Sequence, residues 1–278
     1  MTKDQERARA KRRYERQQAN LAAQQAAQKR NLQVAAVVAA VIAVVAAFLL
    51  LSKVMGDTNE QPSAGATGNS ASASGSGSAS DAPVAAGCDA APAAPGTGGE
   101  LDAPDAAAIK AVEGKTVVAS LATNCGAIEL TLDGAKAPKT VASFVQLAQQ
   151  GYWKDAPCHR LTTAGIYVLQ CGDPTGSGSG GPGYGYGIEN APADGKYPAG
   201  TVAMARTQDP NSNGGQYFIV YQDSELPTDG GGYTIFGTVT AGMDIVDKIA
   251  AGGVADGGSD GAPKFPISTL TVTTETKG

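Results

Sequence analysis

Short stretches of alternating apolar and polar residues occur in the second half of the chain. The first two are Thr116–Thr123 and 127–132, and the three residues between them suit a turn. A period of two indicates strands with one buried face, so this pattern predicts a β-hairpin. Apolar runs between glycine- and proline-rich turns predict six more strands, at 158–162, 166–170, 201–205, 216–221, 233–238 and 269–274.

Two segments instead have the period of a helix. Residues 138–150 begin with a proline, which suits a first helical turn, and Gly151 follows them. The second segment is 243–250, which ends just before two glycines. Many strands and few helices predict a mainly β fold, a closed eight-stranded antiparallel β-barrel capped by two α-helices, because closure removes exposed strand edges.

Composition confines the folded core to this part of the chain. Of fifteen aromatic residues, only Tyr14 and Phe48 precede Phe144. Aromatic side chains supply much of a core's buried area, so one globular domain is expected over 115–278. This domain has no cluster of lysine and arginine, which argues against nucleic-acid binding, and the chain's single histidine excludes a multi-histidine metal site.

An uninterrupted apolar segment precedes the domain. Residues 34–51 contain neither a charge nor a glycine, and as a helix they would span about 27 Å of hydrocarbon. We therefore expect a single transmembrane helix over 32–52. A cleaved signal peptide is the alternative, but its apolar region is shorter and only a short basic segment precedes it. The tail, 1–31, carries nine basic and three acidic residues, so it should stay in the cytoplasm with the domain outside the cell membrane.

A linker is expected between the membrane and the domain, over 53–114. From 56 to 114, 39 of 59 residues are Gly, Ala, Ser or Pro and none is aromatic, so this segment has little apolar surface to bury.

Four cysteines follow the apolar segment, and an even number in an oxidising compartment fits two disulfides. Three pairings are open. Cys158 and Cys171 flank a predicted hairpin, which favours that pair and leaves Cys88 for Cys125. Lipid attachment at Cys88 is disfavoured because polar residues precede it. No two cysteines have the spacing of a zinc site, and no metal is expected.

Other sequence patterns point away from common catalytic sites. The glycine-rich stretch 176–181 fits a dinucleotide-binding pattern, but prolines and glycines follow it where a helix is required. We therefore expect a surface loop. A covalent hydrolase is disfavoured, because His159 is the only possible imidazole base.

Three blocks resemble the cyclophilins. They are CHRLTTAGIYVLQCGDP at 158–174, GTVAMARTQDPNSNGGQYFIVYQD at 200–223 and YTIFGTVTAGMDIVDKI at 233–249. The resemblance extends over about 115–277. Within the family, the sequence is most similar to membrane-tethered members from Gram-positive actinobacteria. It implies a peptidyl-prolyl cis-trans isomerase that uses no cofactor and acts on proline-containing polypeptides.

The resemblance also implies a set of site residues. Arg160 matches the catalytic arginine, whose planar cation can donate hydrogen bonds to the prolyl amide. The substrate-binding positions are matched by His159, Tyr167, Val168, Gln170, Ala205, Arg206, Gln216, Phe218, Leu226 and Tyr233.

Within this set, Gln170 and Gln216 match glutamines that orient the arginine and bind substrate backbone. Phe218 matches the floor of the proline pocket, whose walls are Tyr167, Val168 and Leu226. Two additional residues between Arg160 and Gln170 leave open an alignment of this wall shifted by one residue.

The remaining positions surround this pocket. The backbone of Ala205 and Arg206 is expected to bind the residue before proline. Tyr233 is expected to lie near the proline ring of the substrate. His159 is expected to be a hydrogen-bonded wall residue and not a general base, because bond rotation transfers no proton.

Two departures from the family pattern suggest altered specificity. Leu226 stands near a tryptophan position that helps to bind cyclosporin, so weak cyclosporin binding is expected. Arg206 replaces an asparagine, and its charge suggests a preference for acidic residues beside proline.

The sequence thus predicts a membrane-anchored isomerase that assists the folding of exported proteins. The alternative is a proline-peptide binding module or holding chaperone with little turnover, and the presence of Arg160 argues against it.

Overall fold

Twelve strands and three helices are formed within residues 82–277, the part of the chain that the computed structural model describes. The strands β1 to β12 are Thr116–Thr123, Gly126–Asp133, Ala156–Pro157, Arg160–Thr162, Val168–Cys171, Lys196–Tyr197, Thr201–Met204, Tyr217–Val220, Ser224–Glu225, Ile235–Ala241, Asp260–Gly261 and Ser268–Lys277. The helices α1 to α3 are Ala106–Val112, Pro138–Gln149 and Met243–Gly252, and a 3-10 turn covers Asp229–Gly231.

The predicted tail (1–31) and transmembrane helix (32–52), and the linker as far as residue 81, lie outside the described residues. Among the helices of 82–277, none combines the length and the apolar character needed to cross a membrane.

The predicted hairpin and both predicted helices are confirmed. Strands β1 and β2 pair antiparallel from Thr116 opposite Asp133 to Thr123 opposite Gly126. Alternate residues of β1 are buried, as the period of two requires. Helix α2 begins with Pro138, and α3 ends at Gly252, two residues beyond the prediction.

The prediction of a closed eight-stranded barrel is wrong. Ten strands form one curled antiparallel sheet in the order β11-β4-β5-β8-β7-β10-β2-β1-β12-β3, and β6 pairs separately with β9. The sheet is open because its two edge strands, β11 and β3, do not pair with each other. Both edge strands have only two residues, so little of either edge is available for further pairing.

Strands β4, β5, β7 and β8 are buried on both faces over much of their length, and each face contributes to a different apolar cluster. The interior face carries Leu161, Leu169, Val202 and Ile219, which belong to the main core. The outer face carries Arg160, Gln170, Ala203 and Phe218, which oppose one another across the strands. Phe218 and Ala203 belong to a second, smaller apolar cluster on this outer face.

Helix α2 packs its apolar face on the sheet through Phe144. The Phe144 ring lies 4.4 Å from Trp153, 5.7 Å from Phe236 and 5.9 Å from Tyr217, between ring centroids. Such tilted and edge-to-face contacts stabilise aromatic cores.

The first turn of α2 is capped from a distant loop. Glu189 accepts hydrogen bonds from the backbone N–H groups of Lys139 (3.0 Å) and Thr140 (2.8 Å) and from the Thr140 hydroxyl. These amides have no partner inside the helix, and a carboxylate also suits the positive end of the helix dipole.

The predicted linker is wrong in its last part, because residues 82–114 pack on the domain. We call 82–105 the strap. It is held by a disulfide from Cys88, by Gly96 N–H to Pro174 O (3.2 Å) and by Leu101 N–H to Pro182 O (2.7 Å). The strap is rich in small residues and proline, so its own side chains offer little apolar surface. It is ordered because the folded domain supplies the apolar surface and the hydrogen-bond partners.

Candidate active site

Arg160 lies at the centre of a polar network on the outer face of the sheet. Its Nε and Nη2 donate to the two carboxylate oxygens of Asp260, both at 2.7 Å, and its Nη1 donates to Gln170 Oε1 at 3.2 Å. The hydrogen bond with Asp260 raises the pKa of Arg160, and the hydrogen bond with Arg160 lowers the pKa of Asp260. Both groups are therefore charged at neutral pH.

The network continues from Gln170 to the glycine-rich loop. Gln170 Nε2 donates to Gln216 Oε1 at 2.9 Å, and Gln216 Nε2 donates to the carbonyls of Gly178 (3.0 Å) and Gly180 (2.8 Å). These contacts fix the amide orientation of both glutamines, because each oxygen faces a donor and each nitrogen faces an acceptor.

The glycine-rich loop, 176–181, is a surface loop as predicted and is folded around Asp173. The fully buried Asp173 carboxylate accepts from the Thr175 N–H and hydroxyl, from Ser177 Oγ and from the Gly180 N–H. Burial alone would raise the pKa of Asp173, but these donors lower it. A Cβ on Gly180 would collide with the carboxylate, so this position needs glycine.

The loop forms one wall of a cavity of about 250 Å³. Its other walls include four of the predicted site residues, Gln170, Ala205, Arg206 and Gln216. Backbone carbonyls and amide side chains therefore line much of a space beside Arg160's network.

An apolar cluster lies next to this network, on the same face. Phe218 stands opposite Gln170 in the β5–β8 register and is 3% exposed. Around it pack the predicted wall residues Val168 and Leu226, together with Tyr197 and Tyr233. The Tyr233 ring meets Phe218 edge to face at 5.7 Å and is partly exposed.

The structure places one predicted wall residue outside this cluster. Tyr167 is not part of this cluster, and its ring packs on Tyr221 at 5.9 Å. Ile166 contacts the cluster instead. Ile166 and Tyr167 directly precede β5, and Ile166 lies with Val168 on the cluster side. Val168 thus keeps its predicted place, so the whole wall is not shifted by one residue.

Arg206 lies beside the apolar cluster and is held by the backbone. Its guanidinium lies 4.9 Å from the centroid of the Tyr233 ring. Its nitrogens donate to the carbonyls of Gly232 (2.7 Å), Thr207 (2.8 Å) and Asp229 (3.1 Å). The adjacent Ala205 N–H is bonded to Gln216 O at 3.0 Å.

His159 is placed differently from the expectation. Both of its ring nitrogens are buried, and neither has a hydrogen-bond partner within residues 82–277. A Cβ on Gly178 would lie 3.3 Å from the ring, so the glycine-rich loop covers it. Burial lowers the pKa of His159, which keeps the ring neutral at pH 7.

Both favoured disulfides are present. Cys158 is bonded to Cys171, which links the chain just before Arg160 to the end of β5, and Cys88 is bonded to Cys125, which links the strap to the β1–β2 turn.

Sequence reasoning missed Asp260, Ile166 and Tyr197. Asp260 gave no signal because it lies in a glycine-rich segment about one hundred residues after Arg160. The alternation in 166–170 could have identified Ile166. Tyr197 lies in a two-residue strand, too short to show a period.

Comparisons with known proteins agree with this arrangement. The family model described as cyclophilin type peptidyl-prolyl cis-trans isomerase/CLD matches residues 118–274, more than half of the chain. A solved structure of a cyclophilin type isomerase from Cryptosporidium parvum aligns with a TM-score of 0.50 at 28% identity, covering 59% of this chain and 99% of its own.

Two relatives illustrate the sequence similarity. The "Probable peptidyl-prolyl cis-trans isomerase B" of Mycobacterium leprae is 45% identical over 166 residues, which are 55% of either chain. A peptidyl-prolyl cis-trans isomerase of Streptomyces antibioticus is 35% identical over 160 residues, 55% of this chain and 93% of its own. The chain spans about half the length of the mycobacterial relative. Family model, relatives and fold agree that the chain belongs to the cyclophilin-type peptidyl-prolyl cis-trans isomerases.

Proposed function

We propose that the domain catalyses cis-trans isomerisation of X-Pro bonds, with Arg160 as its catalytic residue. The observation that carries this proposal is the position of Arg160 on one sheet face, next to Gln170 and two strands away from the aromatic floor Phe218. A hydrogen-bond donor with a fixed charge thereby stands beside an apolar surface of the kind a proline ring can bind.

The reaction needs a particular kind of catalyst. Rotation about a peptide bond must break amide resonance, at a barrier of about 18–20 kcal/mol, and X-Pro bonds rotate in tens to hundreds of seconds without help. In the twisted state the prolyl nitrogen regains a basic lone pair. A donor aimed at that nitrogen stabilises the twisted state more than the planar one, and only such a difference accelerates rotation.

The residues of the site can divide this work between them. Arg160 has five N–H donors, and its three bonds to Asp260 and Gln170 leave one donor on each Nη without a partner within residues 82–277. These two N–H groups would meet the prolyl amide. Phe218 and its apolar neighbours would hold the ring, while amide and carbonyl groups around the 250 Å³ cavity would bind the adjoining backbone.

The test uses the full 278-residue chain, purified in mild detergent because of the apolar segment 34–51. We expect catalysed cis-to-trans conversion of an Ala-Pro-Phe peptide, lost by at least about tenfold in Arg160→Ala and Arg160→Lys. Lysine keeps the charge but not the planar pair of donors, so it separates geometry from charge.

A folded parent protein without activity on several prolyl peptides would contradict the proposal. Binding of those peptides without turnover would then identify the domain as a proline-peptide binding module.

We further propose that residues 32–52 anchor the domain outside the cell membrane, where its substrates would be exported proteins. The apolar segment, the basic tail and two disulfides in the domain support this location. Protease added to intact spheroplasts should degrade the domain and spare the tail. Protection of the domain, or its release from membranes by alkaline washing, would contradict the proposed topology.

A further inference from the structure

Asp260 is the direct ion-pair partner of Arg160, and it lies outside every motif that carries the family resemblance. Its two oxygens accept from Nε and Nη2 of Arg160, both at 2.7 Å, so the pair is bidentate. A bidentate contact between two planar groups fixes the plane of the guanidinium as well as its position.

The backbone holds Asp260 in place for this contact. Strand β11 pairs with β4, with Asp260 opposite Thr162 and Gly261 opposite Leu161. The Thr163 N–H also donates to Ser259 O at 2.8 Å. Backbone pairing therefore holds the segment that carries Asp260 against the strand that carries Arg160.

Asp260 and Gln170 hold Arg160 through different donors. Asp260 uses Nε and one N–H of Nη2, and Gln170 uses one N–H of Nη1. One N–H of each Nη then remains for a substrate, and neither neighbour blocks it by hydrogen bonding. Without Asp260, only the single 3.2 Å bond to Gln170 would orient a side chain with four rotatable bonds.

The exposure of this ion pair indicates that it orients Arg160 and does little to stabilise the fold. The Arg160 side chain is 37% exposed and the Asp260 side chain 53% exposed. Ion pairs with this exposure contribute little to the free energy of unfolding, because water screens them. The contact instead matters for the direction of the free donors, where a displacement of about 1 Å can reduce a rate by orders of magnitude.

We propose that Asp260 is a positioning residue for Arg160, which it holds with the two unpaired N–H groups directed to the prolyl amide. This inference rests on the proposed isomerase function and deepens it. Asp260 itself does not meet the substrate, so it should affect the rate of rotation and not the affinity for the peptide.

The experiment measures catalysed exchange and peptide affinity separately, by NMR exchange spectroscopy and by titration of an Ala-Pro-Phe peptide into the full chain in detergent. We expect Asp260→Asn to lower the exchange rate by roughly threefold to tenfold and Asp260→Ala by about tenfold or more, with peptide affinity changed less than twofold. The melting temperature should stay within about 2 °C of that of the parent protein.

Asp256→Asn is the matched control. Asp256 lies in the same glycine-rich segment, but its Oδ1 accepts from the Gly258 N–H, and among the described residues it forms no hydrogen bond or ion pair with Arg160. The exchange rate of this variant should equal that of the parent.

A double-mutant cycle completes the test. If Asp260 acts only through Arg160, adding Asp260→Asn to Arg160→Ala should have no further effect on exchange. Unchanged or faster exchange in Asp260→Ala, or full additivity of the two substitutions, would overturn the proposal. An inactive parent protein would instead contradict the isomerase function itself, so the two failures can be distinguished.

Discussion

Gln170 donates from Nε2 to Oε1 of Gln216 at 2.9 Å, and this single contact connects Arg160 to the glycine-rich loop. Gln170 accepts from Arg160 on one side, and Gln216 donates to two loop carbonyls on the other. The polar side of the site is thus one continuous hydrogen-bonded chain that starts at Asp260 and ends at Gly178 and Gly180.

Gln216→Leu should break this chain. The substitution removes the bonds to Gln170 and to both loop carbonyls while retaining an apolar side chain of similar size. We expect isomerisation to slow by about tenfold, because Gln170 and the loop lose their shared partner. The measurement is catalysed exchange, with Gln222→Leu as the control at an exposed glutamine outside the network. Equal rates for the two variants would show that the chain is not needed.

Phe218→Leu should weaken the binding of proline peptides. Phe218 is buried in the outer cluster, whereas Phe236 is buried in the main core on the other side of the sheet. Each Phe→Leu substitution should destabilise the fold by roughly 1–3 kcal/mol. Only Phe218→Leu should raise the peptide Kd, by at least about fivefold, because only Phe218 belongs to the cluster proposed to hold the proline ring. Peptide titration below the melting temperature checks this, and a matching loss of affinity in Phe236→Leu would contradict it.

Removing the two disulfides should have different effects on stability and on activity. Cys88–Cys125 closes 37 residues and Cys158–Cys171 closes 13, so loop entropy predicts contributions of about 4 and about 3 kcal/mol. Replacing both cysteines of the first pair by serine should destabilise the domain more. Replacing the second pair should reduce activity more, because it releases the chain beside Arg160 and Gln170.

Denaturation midpoints and exchange rates, both measured at 15 °C, compare the two double variants. Equal residual activity in the two would contradict the link between Cys158–Cys171 and the site.

His159 should make the domain less stable in mild acid. Burial lowers its pKa below the ordinary 6.5, so the unfolded chain binds more protons between these two values. The contribution of His159 is therefore fully present above pH 6.5 and is lost as the pH falls through the lowered pKa. We expect the denaturation midpoint to fall between pH 7.5 and pH 5, and His159→Phe should reduce this dependence. An identical slope in the variant would contradict the assignment.

Arg206 should confer only a weak preference for acidic substrates. Its N–H groups are bonded to three backbone carbonyls, so a substrate carboxylate would meet its charge without a direct hydrogen bond. An exposed charge interaction of this kind contributes at most about 1 kcal/mol. We expect less than about fivefold discrimination between Glu-Pro and Lys-Pro peptides, reduced further in Arg206→Gln. A strong preference that persists in the variant would exclude Arg206 as its source.

Local sequence determined most of the secondary structure. Alternation over 116–132 and the helical period of 138–150 depend only on near neighbours, and both elements form where they were predicted. The matched motifs likewise bring Arg160, Gln170, Gln216 and Phe218 to one face, because strand register fixes which side chains share a face.

The tertiary structure decided the features that depend on distant partners. The sheet is open because its edge strands β3 and β11, which lie far apart in the sequence, do not pair with each other, and no local pattern records that. The strap is ordered by surfaces it meets only in the folded domain, so its composition alone indicated a linker.

The same reason applies to the site. Arg160 and Gln170 are ten residues apart and were found from their motif, whereas Asp260 lies one hundred residues from Arg160 in a segment without a period. Periodicity reports the burial of a residue's own element, while an ion pair depends on where two separate elements meet. Sequence therefore determined the strands and the arginine, and only the folded chain decided which carboxylate holds that arginine in place.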